Sequence, residues 1–97
     1  MTRNEKKKLI NHINFTICCC YKELILMPRY SGYENDFKSI GLDISRTRNE
    51  LVRISSDLDC DSTPDYKLNA YSARTVTLLA NILDAKMTFQ DQDIANY

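Results

Sequence analysis

The 97-residue sequence contains only two glycines and two prolines. Folds rich in β-strands need many turns, and these are the residues that most often form turns. Hydrophobic residues make up 43% of the chain and charged residues 27%, which is close to the average for globular proteins and argues against disorder. The scarcity of turn residues therefore favours one helical domain, residues 1–97, which is long enough to bury its own core.

The sequence also has no net charge, because 13 Lys and Arg residues balance 13 Asp and Glu residues. A strong excess of positive charge draws a protein to nucleic acid or to an anionic membrane without regard to sequence. Binding of either kind would require a local basic patch here, so nucleic acid is not a favoured partner.

No uninterrupted apolar run is long enough to cross a membrane. The longest apolar stretch, 9–27, contains four residues that would be costly within a bilayer: His12, Asn14, Lys22 and Glu23. A secretory signal would require an apolar run and a small-residue cleavage site after the basic start, and neither follows Lys8. We therefore expect a cytoplasmic protein whose four cysteines are reduced and serve mainly as small core hydrophobes.

Apolar residues recur at alternating intervals of three and four in each third of the sequence, as on one face of an α-helix. The three series, the last two of which are each interrupted by a threonine, are Ile10, Ile13, Ile17, Cys20, Leu24 and Met27; Phe37, Ile40, Ile44, Thr47, Leu51, Ile54 and Leu58; and Leu68, Tyr71, Thr75, Leu78, Ile82, Ala85 and Phe89. They predict helices near 3–27, 34–58 and 64–90. Because short connections favour antiparallel neighbours, the predicted fold is all-α, an antiparallel three-helix bundle with up-down-up topology.

A hydroxyl residue that stands three positions before an acidic residue predicts the start of each helix. The three pairs are Thr2 with Glu5, Ser31 with Glu34, and Ser62 with Asp65. At this spacing the two side chains satisfy amide donors that lack a partner in the first helical turn. Pro64 fits the first position of the third helix, where its missing N–H is not needed.

The third predicted helix carries a second apolar row beside its first. The row consists of Ala73, Val76, Ala80, Leu83 and Met87. About half of the helix circumference is therefore apolar, so we expect it to contact both other helices. Any part of the row that the other helices leave uncovered would form a homodimer or partner interface.

The connection before the third helix is acidic. Its carboxylates are those of Asp57, Asp59, Asp61 and Asp65. Alternating acids open an EF-hand loop, but Ser62 stands where its turn glycine belongs and Leu68 where its bidentate glutamate belongs. No metal or other cofactor is therefore predicted. Two interpretations remain. In the first, the acids keep the loop solvated and those beside the start of the third helix are stabilised by its dipole, which is positive at that end. In the second, the acids form a docking patch for a basic protein.

A basic cluster lies in the first turns of the first helix. It consists of Arg3, Lys6, Lys7 and Lys8. Positive charge at this end of a helix opposes its dipole, and phosphate contact would be one reason for it. No aromatic residues alternate with the cluster and no DNA-binding turn follows it, so solvation of the helix end is the favoured interpretation.

The second predicted helix carries charges of alternating sign at intervals of three and four. These residues are Asp43, Arg46, Glu50, Arg53 and Asp57. Each neighbouring pair of opposite charges contributes only about 0.2–0.5 kcal/mol to helix stability. The stripe is either a solvated face or the polar rim of a partner interface, with Arg46, Glu50 and Arg53 as the candidate contacts, because arginine is enriched at interfaces.

Three of the six tyrosines stand where burial is hard to arrange. Tyr30 and Tyr33 lie in the first connection, and Tyr97 ends the sequence. Tyrosines at such positions either anchor a partner or cover the end of a bundle, and both interpretations remain open.

The single histidine, His12, has no Cys or His at a zinc-binding spacing. We therefore expect His12 to pack in the core or at its boundary. At least one of the consecutive thiols Cys18, Cys19 and Cys20 is predicted to lie on the core face of the first helix.

No Gly-rich phosphate loop, nucleophile elbow or paired-carboxylate motif is present, so an enzyme is not expected. In size, helicity and local acidity the chain resembles small bacterial immunity proteins, which neutralise a cognate toxin. This resemblance implies an inhibitor that blocks the active site or substrate cleft of its target. Asp57, Asp59, Asp61 and Asp65 would then occupy the basic cleft of a nuclease toxin.

A protein-binding inhibitor or adaptor is therefore the leading hypothesis, with another protein as partner. The first alternative is a small nucleic-acid-binding regulator that uses the basic cluster. The second is an oligomeric structural component, a homodimer formed through the second apolar row of the third helix.

Overall fold

Three helices contain most of the residues that the structure describes. The structure is a computed structural model that describes residues 1–26, 38 and 41–95, with side chains up to residue 88. The helices are α1, Arg3–Leu26, α2, Ile44–Asp57, and α3, Asp65–Ala95. No β-strand occurs among the described residues. The predicted all-α three-helix bundle is confirmed.

α1 and α3 run parallel to each other. Lys6 Nζ, near the start of α1, lies 3.6 Å from Asp65 Oδ1 at the start of α3. Lys86 Nζ of α3 lies 3.1 Å from Glu23 Oε2 near the end of α1. The contact between these two helices is the most extensive in the bundle.

α2 runs in the opposite direction, which gives the predicted up-down-up topology. The end of α2 meets the start of α3, because Lys67 Nζ lies 3.6 Å from Asp57 Oδ2. Two turns further along α3, Arg74 contacts Glu50, which lies earlier in α2. The sequence order along the two helices is therefore reversed.

The predicted apolar series form the core. Buried members are Ile13, Ile17, Cys20 and Leu24 of α1, Ile44, Thr47, Leu51 and Ile54 of α2, and Leu68, Thr75, Leu78, Ile82 and Ala85 of α3. Ile10, Leu58 and Tyr71 pack against this cluster while keeping some exposure. Burial of apolar surface is the main force that holds such helices together, and it contributes about 25 cal/mol of stabilisation per Å² buried. Met27, Phe37, Ile40 and Phe89 lie outside the described side chains.

α1 starts with the predicted capping pair. The Glu5 N–H donates to Thr2 Oγ1 at 3.2 Å, and the Thr2 N–H donates to Glu5 Oε1 at 3.4 Å. The two side chains also bond to each other, with the Thr2 hydroxyl 3.0 Å from Glu5 Oε1. This reciprocal arrangement satisfies two amide donors at the helix start. The predicted pair Ser31 and Glu34 lies outside the described residues.

The predicted second helix, 34–58, is wrong as one continuous helix, because residues 41–43 are not helical and α2 begins at Ile44. Residue 34 itself lies outside the described residues. Gly41 has a φ of +92°, which residues with a Cβ rarely adopt, and its N–H donates to the carbonyl oxygen of Lys38. Asp43 then caps the new helix by accepting a 3.0 Å hydrogen bond from the Arg46 N–H. The apolar spacing in the sequence continues through this turn, so periodicity alone did not predict the turn.

α3 begins one residue after the predicted start at 64 and ends five residues after the predicted end at 90, and its predicted capping pair does not form. Ser62 bonds to Asp59 instead, and Asp65 faces α1. The carbonyl oxygen of Pro64 accepts the N–H of Leu68 and the helix begins at Asp65, so Pro64 lies one position before the first helical position that was predicted for it. The helix continues to Ala95, and the sequence after Pro64 contains no glycine or proline that would end it earlier.

Removal of the α2 cap tests the corrected helix boundary. We expect Asp43→Ala to lower the free energy of unfolding by about 0.5–2 kcal/mol, because the Arg46 N–H loses its partner. Asp43→Asn is the matched control and should retain most of the stability, since asparagine caps helices about as well as aspartate. Urea unfolding followed by circular dichroism measures both. Equal stability of the alanine variant and the wild type would contradict a helix start at this position.

Candidate functional site

A groove between α2 and α3 brings together the three candidate residues that the charge stripe predicted on α2. We call it the arginine groove, and its volume is about 570 Å³. Its charged lining consists of Arg46, Glu50 and Arg53 of α2, Arg74 of α3, and Asp43 at the α2 cap, with neutral lining from Gly41, Leu42, Thr47, Asn49, Leu78 and Asn81. This volume falls within the range of about 300–1,000 Å³ typical of ligand pockets.

Glu50 and Arg74 form a two-point ion pair across the groove. Arg74 Nε lies 2.5 Å from Glu50 Oε1, and a terminal guanidinium nitrogen lies 2.9 Å from Glu50 Oε2. The hydrogen bonds from Arg74 lower the pKa of the Glu50 carboxyl, and the same bonds raise the pKa of Arg74. Such paired bonds fix the planes of both groups, so this pair forms a rigid link between α2 and α3.

Arg46 and Arg53 lie on either side of this ion pair along α2. Both side chains are exposed, and neither guanidinium forms an ion pair with a described residue. Both contribute to lowering the pKa of the Glu50 carboxyl through their charge, after the larger effect of Arg74. Two cations therefore face the groove without an anionic partner from the described part of the chain.

The predicted acidic residues lie together at the other end of α2, but their carboxylates already have partners. Asp57 accepts a hydrogen bond from the Tyr71 hydroxyl and lies near Lys67, and the Tyr71 bond is the main reason that the pKa of Asp57 is lowered. Asp59 accepts the N–H groups of Asp61 and Ser62 at 2.7 and 3.2 Å, which lower its pKa. These bonds fix the loop itself.

The remaining two predicted acids contact the first turn of α1. Asp61 Oδ1 lies 3.3 Å from Arg3 Nε, and Asp65 contacts Lys6 and the amino group of Met1. The hydrogen bond from the Met1 amino group is the main cause of the lowered pKa of Asp65. The basic cluster and the acidic loop are thus neighbours, because the starts of α1 and α3 lie at the same end of the bundle.

The other members of the basic cluster, Lys7 and Lys8, are exposed. Tyr30 and Tyr33, predicted as partner contacts, lie outside the described residues, as does Tyr97.

The second apolar row of α3 is exposed to solvent where its side chains are described. Val76, Leu83 and Met87 remain 51%, 37% and 60% exposed, and the smaller Ala73 and Ala80 are also exposed. α3 does contact both other helices, as expected, but through its first row and the residues beside it.

The expectation that His12 packs in the core or at its boundary is wrong, because its side chain is exposed. The next residue, Ile13, is buried in the core instead. Among the consecutive cysteines, Cys20 is buried as the apolar series predicted, whereas Cys18 is exposed and Cys19 is half-buried. All four cysteines are free thiols.

Within the described residues, no three His, Cys, Asp or Glu side chains are placed to hold a metal ion together. No helix among the same residues has the length and hydrophobicity needed to cross a bilayer.

Arg74 was not among the residues that the sequence predicted for the candidate site. Arg74 and Glu50 each stand one position before a core residue, Thr75 and Leu51. In an antiparallel pair of helices these flanking positions face each other, so their opposite charges were a usable signal once the topology was assumed. Asn49 and Asn81, which also line the groove, carry no comparable signal.

Comparison with models of protein families, with curated proteins and with solved structures finds no match to this chain.

Proposed function

We propose that this protein binds another protein, as an inhibitor or adaptor, through the arginine groove. Two exposed guanidinium groups, Arg46 and Arg53, support this function because they lie beside a cavity and lack an ionic partner among the described residues. Arginine is enriched at protein interfaces, since its planar group makes paired hydrogen bonds and is weakly hydrated. The Glu50–Arg74 pair holds the two walls of the groove in place, so little ordering is needed on binding.

The acidic loop contributes less to this function because its carboxylates bond within the chain. Arg3 and Lys6 lie against Asp61 and Asp65, so these opposite charges offset each other in the free protein. A basic partner would have to compete with these contacts. Neutralisation of a toxin, which the resemblance to immunity proteins implies, is one form of such inhibition and stays a prediction.

Affinity capture with matched variants tests the proposed surface. The bait is the full chain as wild type, as the double variant R46Q/R53Q, or as R48Q, where Arg48 is an exposed residue of α2 outside the groove. We expect an extract of the source cells to yield a protein that binds the wild type and R48Q. Binding to the double variant should fall about tenfold or more, which corresponds to about 1.4 kcal/mol.

Circular dichroism of the three baits checks that each is folded. Equal retention of every captured protein by R46Q/R53Q and the wild type would contradict a role for the groove in binding.

A further inference from the structure

We infer, on the basis of the proposed function, that the arginine groove takes an acidic segment of its partner, with two carboxylates about 10 Å apart. One carboxylate would bind the guanidinium of Arg46 and the other that of Arg53. Nothing about the partner's fold is required beyond this spacing of charge.

The balance of charge in the groove selects an anionic occupant. Glu50 is neutralised by Arg74 through two hydrogen bonds. The Asp43 carboxylate accepts the Arg46 N–H and lies 4.0 Å from Lys38 Nζ. The guanidinium groups of Arg46 and Arg53 are therefore the two in the lining that form no ion pair with a described carboxylate, and a cationic segment would be repelled by both.

The positions of the two arginines set the spacing of the partner's acids. Arg46 and Arg53 are seven residues apart on one helix, which is two turns, or about 10.5 Å along the axis at 1.5 Å per residue. A partner helix matches this distance when its acids are also two turns apart. A polyproline II segment matches it when its acids are three residues apart, because that helix has three residues per turn and rises about 3.1 Å per residue.

Neutral groups in the groove suit a peptide better than a lone anion. Asn49 of α2 and Asn81 of α3 line opposite walls, and each offers both a donor and an acceptor. Leu42 and Leu78 contribute apolar lining to the same groove. A small anion would use only the guanidinium groups, whereas a peptide carries amides and methylene groups that match the rest of the lining.

NMR titration of the isotope-labelled full chain with synthetic peptides tests this occupant. The first peptide is an alanine-rich helix with blocked ends and two glutamates two turns apart, and the second replaces both glutamates with glutamine. We expect the first peptide to shift the side-chain Nε–Hε signals of Arg46 and Arg53 and to bind about tenfold tighter than the second. The R46Q/R53Q variant should lose this preference, and R48Q should keep it. Higher salt should weaken the first peptide more than the second.

Three results would overturn the inference: equal affinity for both peptides, no binding of either, or glutamate-dependent shifts confined to residues outside the groove. Inorganic phosphate is the control for a simple anion site. If phosphate reproduces the arginine shifts and the glutamate peptide does not, the groove binds small anions and the inference is wrong. A partner captured only by baits with an intact groove would still support the proposed function. Failure of the acidic-segment inference can therefore be distinguished from failure of the proposed function.

Discussion

Leu68→Ala should lower the free energy of unfolding by about 2–5 kcal/mol, whereas Leu83→Ala should lower it by less than about 1 kcal/mol. Both residues are leucines of α3, but Leu68 is fully buried and Leu83 is 37% exposed. Truncation of Leu68 removes its contacts with the core and leaves a cavity that the rigid helices cannot fully close. Because domains of this size are stable by about 5–15 kcal/mol, the first loss is a large part of the total.

Urea unfolding of both variants, at low and at high protein concentration, measures these effects. Leu83 belongs to the second apolar row of α3, so the loss of stability in Leu83→Ala also shows whether that row is covered by another chain. An equal loss for both variants, growing with protein concentration in the Leu83 case, would mean that a second copy of the chain covers the row. That result would favour the homodimer hypothesis over a monomer with an exposed row.

The apolar spacing was sufficient to predict the topology because it identifies the residues that each helix buries. Ile13, Leu51 and Ile82 lie on three separate predicted series, and all three are buried. Spacing was insufficient at the start of α2, where Ile40 and Ile44 continue the period through a turn. The local signals there are Gly41, whose φ is positive, and the capping residue Asp43, and such signals outweigh periodicity when the two disagree.

The candidate site was predictable in part. Alternating charge placed Arg46, Glu50 and Arg53 on one face of α2, and the structure places all three in the same groove. The stripe could not show which charges are neutralised, because that depends on Arg74 in another helix. A charge pattern along one helix predicts where the charged side chains lie. Which of them remain free to bind a partner depends on the residues of the neighbouring helices.

The relation between the acidic loop and the basic cluster was missed for a similar reason. Arg3 and Asp61 are 58 positions apart in sequence, and each was considered as a separate candidate site. Up-down-up topology places the starts of the first and third helices at one end of the bundle, which brings the two sets together. Their contact follows from the predicted fold, although not from either segment alone.

A buried thiol gives the protein an expected loss of stability at alkaline pH. Cys20 is fully buried between α1 and α3, with its Sγ 3.9 Å from the carbonyl oxygen of Thr75. Burial raises the pKa of this thiol from 9.0 to about 11, because the thiolate would lose its hydration. Between these two pKa values the unfolded chain releases the proton and the folded chain keeps it, so stability falls as pH rises. The loss is at most about 3 kcal/mol for this one group.

Cys20→Ala and Cys18→Ala separate this effect from other groups that titrate in the same range. Cys18 is exposed, so its replacement should leave the alkaline loss of stability unchanged. Cys20→Ala lowers stability at neutral pH by leaving a small cavity, but its further loss between about pH 8 and pH 10.5 should be smaller than that of the wild type. The raised pKa of Tyr71, caused mainly by its bond to Asp57, acts in the same direction in every variant and cancels in the comparison. Equal alkaline losses in Cys20→Ala and the wild type would show that the Cys20 thiolate is tolerated in the fold, through water entry or local opening between α1 and α3.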